Sequence, residues 1–262
     1  VTILDEIFAH KRVEVEQRKR SYPLVEVRTQ AEQVSPPLDF VAALRGRPGG
    51  RPALIAEIKC ASPSRGLLAL EFDPLRLARL YQSNGASAIS VLTDERYFKG
   101  SLDHLRQVAA LEPRLPLLRK DFIMEPYQIY EARAAGADAV LLIVAGLDPG
   151  QLHDLHALAL ELGMAALVEV HTRREMESIL DLPGLALAGI NNRDLRDFSV
   201  TLDTTLGLRP LLADGVCVIA ESGIHSPEDV DRLMPAQVDA ILVGEALVTA
   251  DDPGSLVRSL SR

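Results

Sequence analysis

Cysteine is scarce in this chain, basic residues are outnumbered by acidic ones, and long apolar runs are missing. Two cysteines, Cys60 and Cys217, with no spacing motif between them exclude a disulfide framework and suggest a reduced, cytoplasmic protein. A formal net charge of -9 argues against nucleic acid or an anionic membrane as a general partner. It leaves room for a small anionic substrate, because local lysines and helix ends can dominate inside a cleft. No apolar run approaches the roughly 20 residues that a membrane span needs. After Phe8 the N-terminus is densely charged through Arg20, so the apolar region of a signal peptide finds no place there.

What is present is a sizeable core. Hydrophobic residues make up 47% of 262 residues, a length at which α/β barrels commonly fold as one domain. Residues 2–20 read as an amphipathic helix with Ile3, Leu4, Ile7 and Phe8 on one face. The charge run from Lys11 to Arg20 reads as its solvated side. Pro23, Pro36 and Pro37 punctuate the next segment, residues 38–44 read as a second short helix, and the Arg/Gly/Pro-rich stretch 45–52 reads as a loop. Residues 1–52 are therefore expected to be an N-terminal helical extension, packed on the barrel within a single domain spanning 1–262.

From Ala53 onward the pattern is regular. Apolar runs of strand type lie at 53–58, 88–92, 115–118, 139–144, 165–170, 185–190, 216–220 and 240–243. Helical periodicity separates them, for example at 74–83, 127–135, 149–162, 172–180 and 227–233. Eight such units predict a (β/α)8 TIM barrel, and near-continuous apolar strands suit a parallel sheet covered on both faces. A doubly wound open sheet is the competitor, but it has fewer strands as a rule and no eight-fold regularity.

In a barrel the chemistry sits where the strands end. The most informative strand end is residues 54–66, where Glu57 and Lys59 stand two apart and so share one face. Burying both there is costly without partners, so the pair is either a core ion pair or part of a reaction centre. Later strands end in Arg119-Lys120-Asp121-Phe122, in Glu169-Val170-His171, in Asn191-Asn192-Arg193-Asp194, in Glu221-Ser222-Gly223 and in Gly244-Glu245. Polar groups thus gather at one rim. The seventh and eighth of these loops, with a short helix after Gly244, match the recurrent phosphate cradle of barrels. Gly223 and Gly244 permit close backbone approach and Ser222 adds a hydroxyl; the plainer alternative is that both glycines only serve tight turns.

The sequence resembles indole-3-glycerol-phosphate synthases. The resemblance rests on Glu57-Ile58-Lys59 followed by Ser62-Pro63-Ser64 and Gly66, and on Ser90-Val91-Leu92-Thr93-Asp94 with Tyr97-Phe98 and Gly100-Ser101. It continues through Leu118 to Ile123, Gly136-Ala137-Asp138, Val168-Glu169-Val170-His171, Gly189 to Leu195, Ala220 to Ile224 and Val243-Gly244. Cys60 departs from it, at a position where the family often has a basic residue. The chain looks like the form without a fused isomerase domain.

The resemblance implies a decarboxylating ring closure in tryptophan biosynthesis, without cofactor or metal. The substrate would be 1-(2-carboxyphenylamino)-1-deoxyribulose 5-phosphate and the products indole-3-glycerol phosphate, carbon dioxide and water. It implies Lys120 as general acid, Lys59 as carboxylate holder and second proton donor, and Glu169 as general base assisted by Glu57. Asn191 and Arg193 would position the substrate, with Glu221 and Ser222 closing the rim. Ser62, Ser222, Gly223, Gly244 and Glu245 would hold the phosphate. Ser62, Phe98 and Phe122 would line the rest of the substrate site, with Leu142 and Leu195 as weaker candidates that suit ordinary core. Residues 62–70 would form a lid.

Other features read more plainly. His153 and His156 belong to a solvated helix face, His171 is a supporting rim residue, and both cysteines are structural. A monomer or weak homodimer is expected. Two rival functions are a Schiff-base aldolase using Lys120 and a catalytically silent barrel that binds a phosphorylated metabolite or a partner enzyme. Neither accounts for the contiguous motif matches.

Overall fold

The computed structural model describes residues 2–45, 50–63, 65–68, 71–194 and 197–261. Eight parallel strands close on themselves: β1 (Ala53–Ile58), β2 (Ala88–Leu92), β3 (Leu117–Lys120), β4 (Ala139–Ile143), β5 (Ala165–Val170), β6 (Leu187–Asn191), β7 (Cys217–Glu221) and β8 (Ala240–Val243). Each pairs with the next, and β8 returns to β1 with Ala240 opposite Ala53. The expected (β/α)8 barrel is the architecture found. The third strand begins and ends two residues later than its apolar run suggests. The ladder continues through Arg119 and Lys120, polar residues whose partners lie elsewhere in the fold.

Alternation along the strands sorts side chains into two cores. Leu54, Ala56 and Ile58 face the surrounding helices, whereas Ala53 and Ile55 face the barrel interior. The same alternation sends Leu118, Leu167, Leu187, Ile219 and Leu242 inward. Two residues further along these strands stand Lys120, Glu169, Gly189, Glu221 and Gly244. The interior is therefore apolar below and polar at the mouth, as the period of two dictates.

Three helices precede β1. α1 (Ile3–Ser21) starts at Thr2, whose hydroxyl accepts from the Asp5 amide while Asp5 accepts from the Thr2 amide, a reciprocal cap. α2 (Leu24–Gln33) was not anticipated, because it buries little besides Val27 and Ala31 and so has almost no apolar stripe. α3 (Phe40–Leu44) packs Phe40 and Leu44 against the barrel interior, and Arg45 just after it bonds to the carbonyl of Gly215, which precedes β7. That contact puts α3 at the N-terminal end of the barrel. Of the 45–52 loop, residues 46–49 lie outside the described residues. Among the described residues no helix is long and apolar enough to cross a membrane.

The charged side of α1 is only partly a solvated face: Arg12, Glu16 and Arg20 are exposed, but other members of the run are drawn into a buried network. Lys11 is completely buried, with Nζ 2.8 Å from Asp94, 2.9 Å from Asp121 and 3.0 Å from Glu14. Asp121 also accepts from Thr93 at 2.7 Å and from Arg119 at 2.9 Å, and Arg119 reaches Glu131 at 2.8 Å. Arg18 extends the network to Glu14, Glu95 and Glu131. Burial alone would pull the Lys11 ammonium down, but Asp121, Asp94 and Glu14 outweigh it and leave it well above the ordinary lysine range. Burial likewise pushes Asp121 up, and Lys11 and Arg119 overcome that to hold it well below the usual carboxylate range. The run looks solvated in sequence because most of the carboxylates that receive it, Asp94, Glu95, Asp121 and Glu131, come from segments that follow β2 and β3.

Lys11→Met should therefore be destabilising by about 3–5 kcal/mol, since it leaves buried carboxylates uncompensated. Asp121, depressed in the folded state, stabilises the fold above its unfolded pKa of about 3.9 and loses that contribution as pH falls. Denaturant titrations from pH 7 to pH 3 should show the wild type losing stability steeply and Lys11→Met more gently. Equal slopes would mean that the clamp is not ionic.

Candidate active site

The polar layer at the mouth converges on one cavity. All fourteen side chains or backbones expected at the site line it: Glu57, Lys59, Ser62, Phe98, Lys120, Phe122, Glu169, Asn191, Arg193, Glu221, Ser222, Gly223, Gly244 and Glu245. They come from β1, β3, β5, β6 and β7 and from the segments after these strands, β2 and β8, so only closure of the barrel brings them together.

Two ion-pair groups organise the floor. Lys59 Nζ lies 2.8 Å from Glu57 Oε1, the same-face pair that their spacing predicts. Lys120 Nζ lies 3.0 Å from Glu221 Oε2 and 3.4 Å from Glu169 Oε2. Burial draws the Lys120 ammonium down, but Glu221, Glu169 and Glu57 together override it and hold the group charged, well above the usual lysine range. The two carboxylates that share it go opposite ways. For Glu169, burial is opposed by Lys120 and by His171, and the carboxyl ends below its ordinary value. For Glu221, burial and the neighbouring Glu169 prevail over Lys120, and the carboxyl is pushed up to about 8. The contacts support that division. Glu169 Oε1 has a second cation at 3.3 Å, His171 Nε2, an ion-pair contact outside hydrogen-bond geometry, while Glu221 Oε1, like that Nε2, is buried without a hydrogen-bond partner among the described residues.

Glycines make room for these carboxylates. A Cβ on Gly189 would stand 2.2 Å from Glu221 Oε1, and one on Gly244 would stand 2.3 Å from Glu57 Oε1. Gly244, assigned from sequence to a phosphate cradle, thus also seats Glu57. Beyond β7, Ser222 has a positive φ of 67°, a strained conformation for a side-chain-bearing residue. Glu245 opens the short helix Glu245–Thr249, and its side chain is paired with Arg65 at 2.9 Å. Asn191 accepts from the Arg193 amide at 3.0 Å, and Arg193 bonds to the Phe198 carbonyl.

The apolar wall is built partly by an element that strand ends could not reveal. Phe98 and Phe122 lie tilted by 35° with centroids 6.0 Å apart, and Phe8 of α1 meets Phe122 edge-on at 5.8 Å. Ile3, Leu4 and Ile7 of α1 line the same cavity, as do Leu141 and Ile143 of β4. Leu142, between the last two, faces the helices and belongs to ordinary core. The period of two marks Leu141 and Ile143, but nothing in the α1 sequence says where its apolar face docks. Leu195, and Ser64, Ala69 and Leu70 of the expected lid, lie outside the described residues.

His153 is exposed, whereas His156 is buried against the barrel helices rather than solvated, its apolar neighbours pulling its pKa down. Both cysteines are free and buried. Among the described residues no group of three or more His, Cys, Asp or Glu side chains is poised to hold a metal ion.

Comparison with known proteins is consistent along the whole chain. The family described as indole-3-glycerol phosphate synthase matches residues 4–260. An indole-3-glycerol phosphate synthase of Roseiflexus sp. (strain RS-1) is 54% identical, covering 99% of this chain and 98% of the relative. One from Polaromonas sp. (strain JS666 / ATCC BAA-500) is 49% identical, covering 98% and 97%. Among solved structures, 3-hexulose-6-phosphate synthase from Salmonella typhimurium superposes with a TM-score of 0.60 at 14% identity, over 80% of this chain and 96% of that one, a likeness of fold alone. With that match running from α1 to the last helix, the chain belongs to the indole-3-glycerol phosphate synthase family.

Proposed function

We propose that this barrel closes the indole ring of 1-(2-carboxyphenylamino)-1-deoxyribulose 5-phosphate, releasing carbon dioxide and water and yielding indole-3-glycerol phosphate. Membership of the family makes the activity that of a carbon–carbon lyase of tryptophan biosynthesis. The observation that carries the proposed route is the Lys120 ammonium, held between Glu169 and Glu221 in the cavity that also holds the Lys59–Glu57 pair.

Ring closure turns the substrate ketone into an alkoxide, which needs a proton. Lys120 is charged and within the cavity, and an alkoxide is more basic than an amine, so the transfer runs downhill once the carbon–carbon bond forms. Lys59 holds the substrate carboxylate and supplies a proton for dehydration. Glu169, kept ionised, removes the proton from the methylene carbon beside nitrogen, with Glu57 orienting Lys59. Attack by the ring on the ketone leaves an iminium-like carbon framework, and this accepts the electron pair released as carbon dioxide departs. Asn191, Arg193 and Glu221 position the polar middle of the substrate, and Phe98 and Phe122 flank its aromatic end. Ser62, Ser222, Gly223 and Gly244 grip the phosphate. Glu245 takes part through its backbone, since its carboxylate would repel the phosphate and is occupied by Arg65.

The same reading treats residues 1–262 as one working domain, with 1–52 an extension whose α1 walls the site. It sets the enzyme in the cytoplasm, in keeping with two free buried thiols. A small phosphorylated molecule is its partner, with no nucleic acid, and the oligomeric state is monomer or weak dimer.

Supplying the carboxyphenylamino ketose phosphate should produce indole fluorescence, and Lys120→Ala should lower turnover by about 10²–10⁴ while leaving the thermal transition in place. Near-normal turnover would remove Lys120 from the chemistry. Burial and the neighbouring Glu169 push the Glu221 carboxyl up, to about 8, so its ionisation falls on the alkaline side of the working range. Ionisation tightens its hold on the Lys120 proton and slows ring closure. The wild-type kcat should therefore fall on an alkaline limb near pH 8 that is missing in Glu221→Gln; a limb unchanged in that variant would assign it to another group. Product at saturation should also slow tryptic cutting after Arg65, and unchanged cutting would argue against closure of residues 62–70 over the ligand.

A further inference from the structure

Glu169 and Glu221 both reach one ammonium, and by that contact alone they are near-equivalent. Such carboxylate pairs share protons, and either member can carry one. A base in the proposed reaction must be the ionised member. What makes the two unequal is a third group, His171.

His171 follows β5 directly, and its side chain is only 6% exposed. Nε2 lies 3.3 Å from Glu169 Oε1, the oxygen not turned to Lys120, and Nδ1 lies 3.2 Å from Glu175 Oε2. Glu175 is itself fixed. Its Oε2 accepts the His171 backbone amide at 2.7 Å, its Oε1 accepts the Thr172 hydroxyl at 3.0 Å, and Thr172 caps the helix Arg173–Ile179 on which Glu175 sits. Among the described residues Glu221 has no counterpart to this arrangement, and its Oε1 is buried beside Gly189 without a hydrogen-bond partner.

We infer that His171, clamped by Glu175, is a positioning residue that selects Glu169 over Glu221 as the ionised base and turns its Oε2 to Lys120. The inference rests on the proposed function for the word base, but the charge asymmetry it describes exists without substrate. The charged groups facing the imidazole are Glu169 from β5 and Glu175 from the following helix. Behind Glu169 stand Lys120 of β3 and Glu221 of β7. Burial lowers the imidazole pKa, but the two carboxylates overcome this and push it up to about 10, so the ring is an imidazolium at neutral pH. An imidazolium 3.3 Å from one carboxylate, and not in contact with the other, is sufficient to decide which of them keeps the proton.

The test is a set of variants, His171→Gln, Glu175→Gln, Glu221→Gln and the double variant His171→Gln/Glu221→Gln, each checked for folding by its thermal transition. In His171→Gln, kcat should fall roughly ten- to hundred-fold near pH 7 with KM little changed. Its acid limb should move up by about one pH unit or more, because Glu169 loses a neighbouring cation. Glu175→Gln, which keeps the ring in place, should move the limb the same way by less. It stands in for His171→Gln if that variant fails to fold. In the Glu221→Gln background the His171→Gln shift should shrink, since no second carboxylate competes for the proton. A fall in kcat with an unmoved acid limb, or equal shifts in both backgrounds, would make His171 merely structural and overturn the inference. Imidazole nitrogen NMR of the ligand-free protein gives a readout that needs no turnover. His171 should stay doubly protonated through neutral pH in the wild type and titrate lower in Glu175→Gln. A neutral ring at pH 7 would sink the inference even if indole product forms, and failure to form product with an imidazolium present would sink only the proposed reaction.

Discussion

A largely buried ammonium is tolerable only where carboxylates take over from water, and the mouth of this barrel is arranged around that requirement. Lys120 needs Glu169 and Glu221, which in turn need β5 and β7 at the right height opposite β3. Glycines at 189 and 244 keep the space that the carboxylates occupy. The penalty for burying charge thus acts as a positioning force, since few other arrangements of these side chains satisfy it. It also supplies chemistry, because an ammonium with two unequal carboxylates is a set of proton donors and acceptors held ready.

The end of β3 links this set to a second one. Lys120 points into the barrel, while Arg119, one residue earlier, points outward beneath the helix Pro126–Ala134 and binds Asp121 and Glu131. Asp121 in turn receives Lys11 from α1. Three consecutive residues therefore serve the site, the outer wall and the N-terminal extension. The apolar face of α1 packs on Phe122 and lines the cavity, so the ionic clamp on one side of that helix holds a substrate wall on the other. The extension is a part of the site rather than a decoration of the barrel.

Much of this was legible from residue order. The eight-fold alternation announced the barrel, and the period of two placed Glu57 beside Lys59 on one face. The polar residues at strand ends pointed to Lys120, Glu169, Asn191 and Glu221, and the structure brings all of them to one cavity. What escaped were features whose partners are distant in sequence. Lys11 looked solvated because Asp94 and Asp121 lie more than eighty residues away. α2 escaped because it buries only Val27 and Ala31 and so carries almost no apolar stripe, and His171 read as no more than a supporting rim residue because its contacts to Glu169 and Glu175 form only once a helix has turned back over the strand.

Strand count, strand polarity and the chemical inventory of the rim belong to the sequence, because alternation and apolar periodicity are local properties that each segment carries with it. Which carboxylate shares a lysine, which of two carboxylates holds a proton, and where α1 docks were decided only by the closed barrel. Those outcomes depend on distances of about three ångströms between strands whose order round the ring, not along the chain, makes them neighbours, and on a low-dielectric setting that exists only after folding.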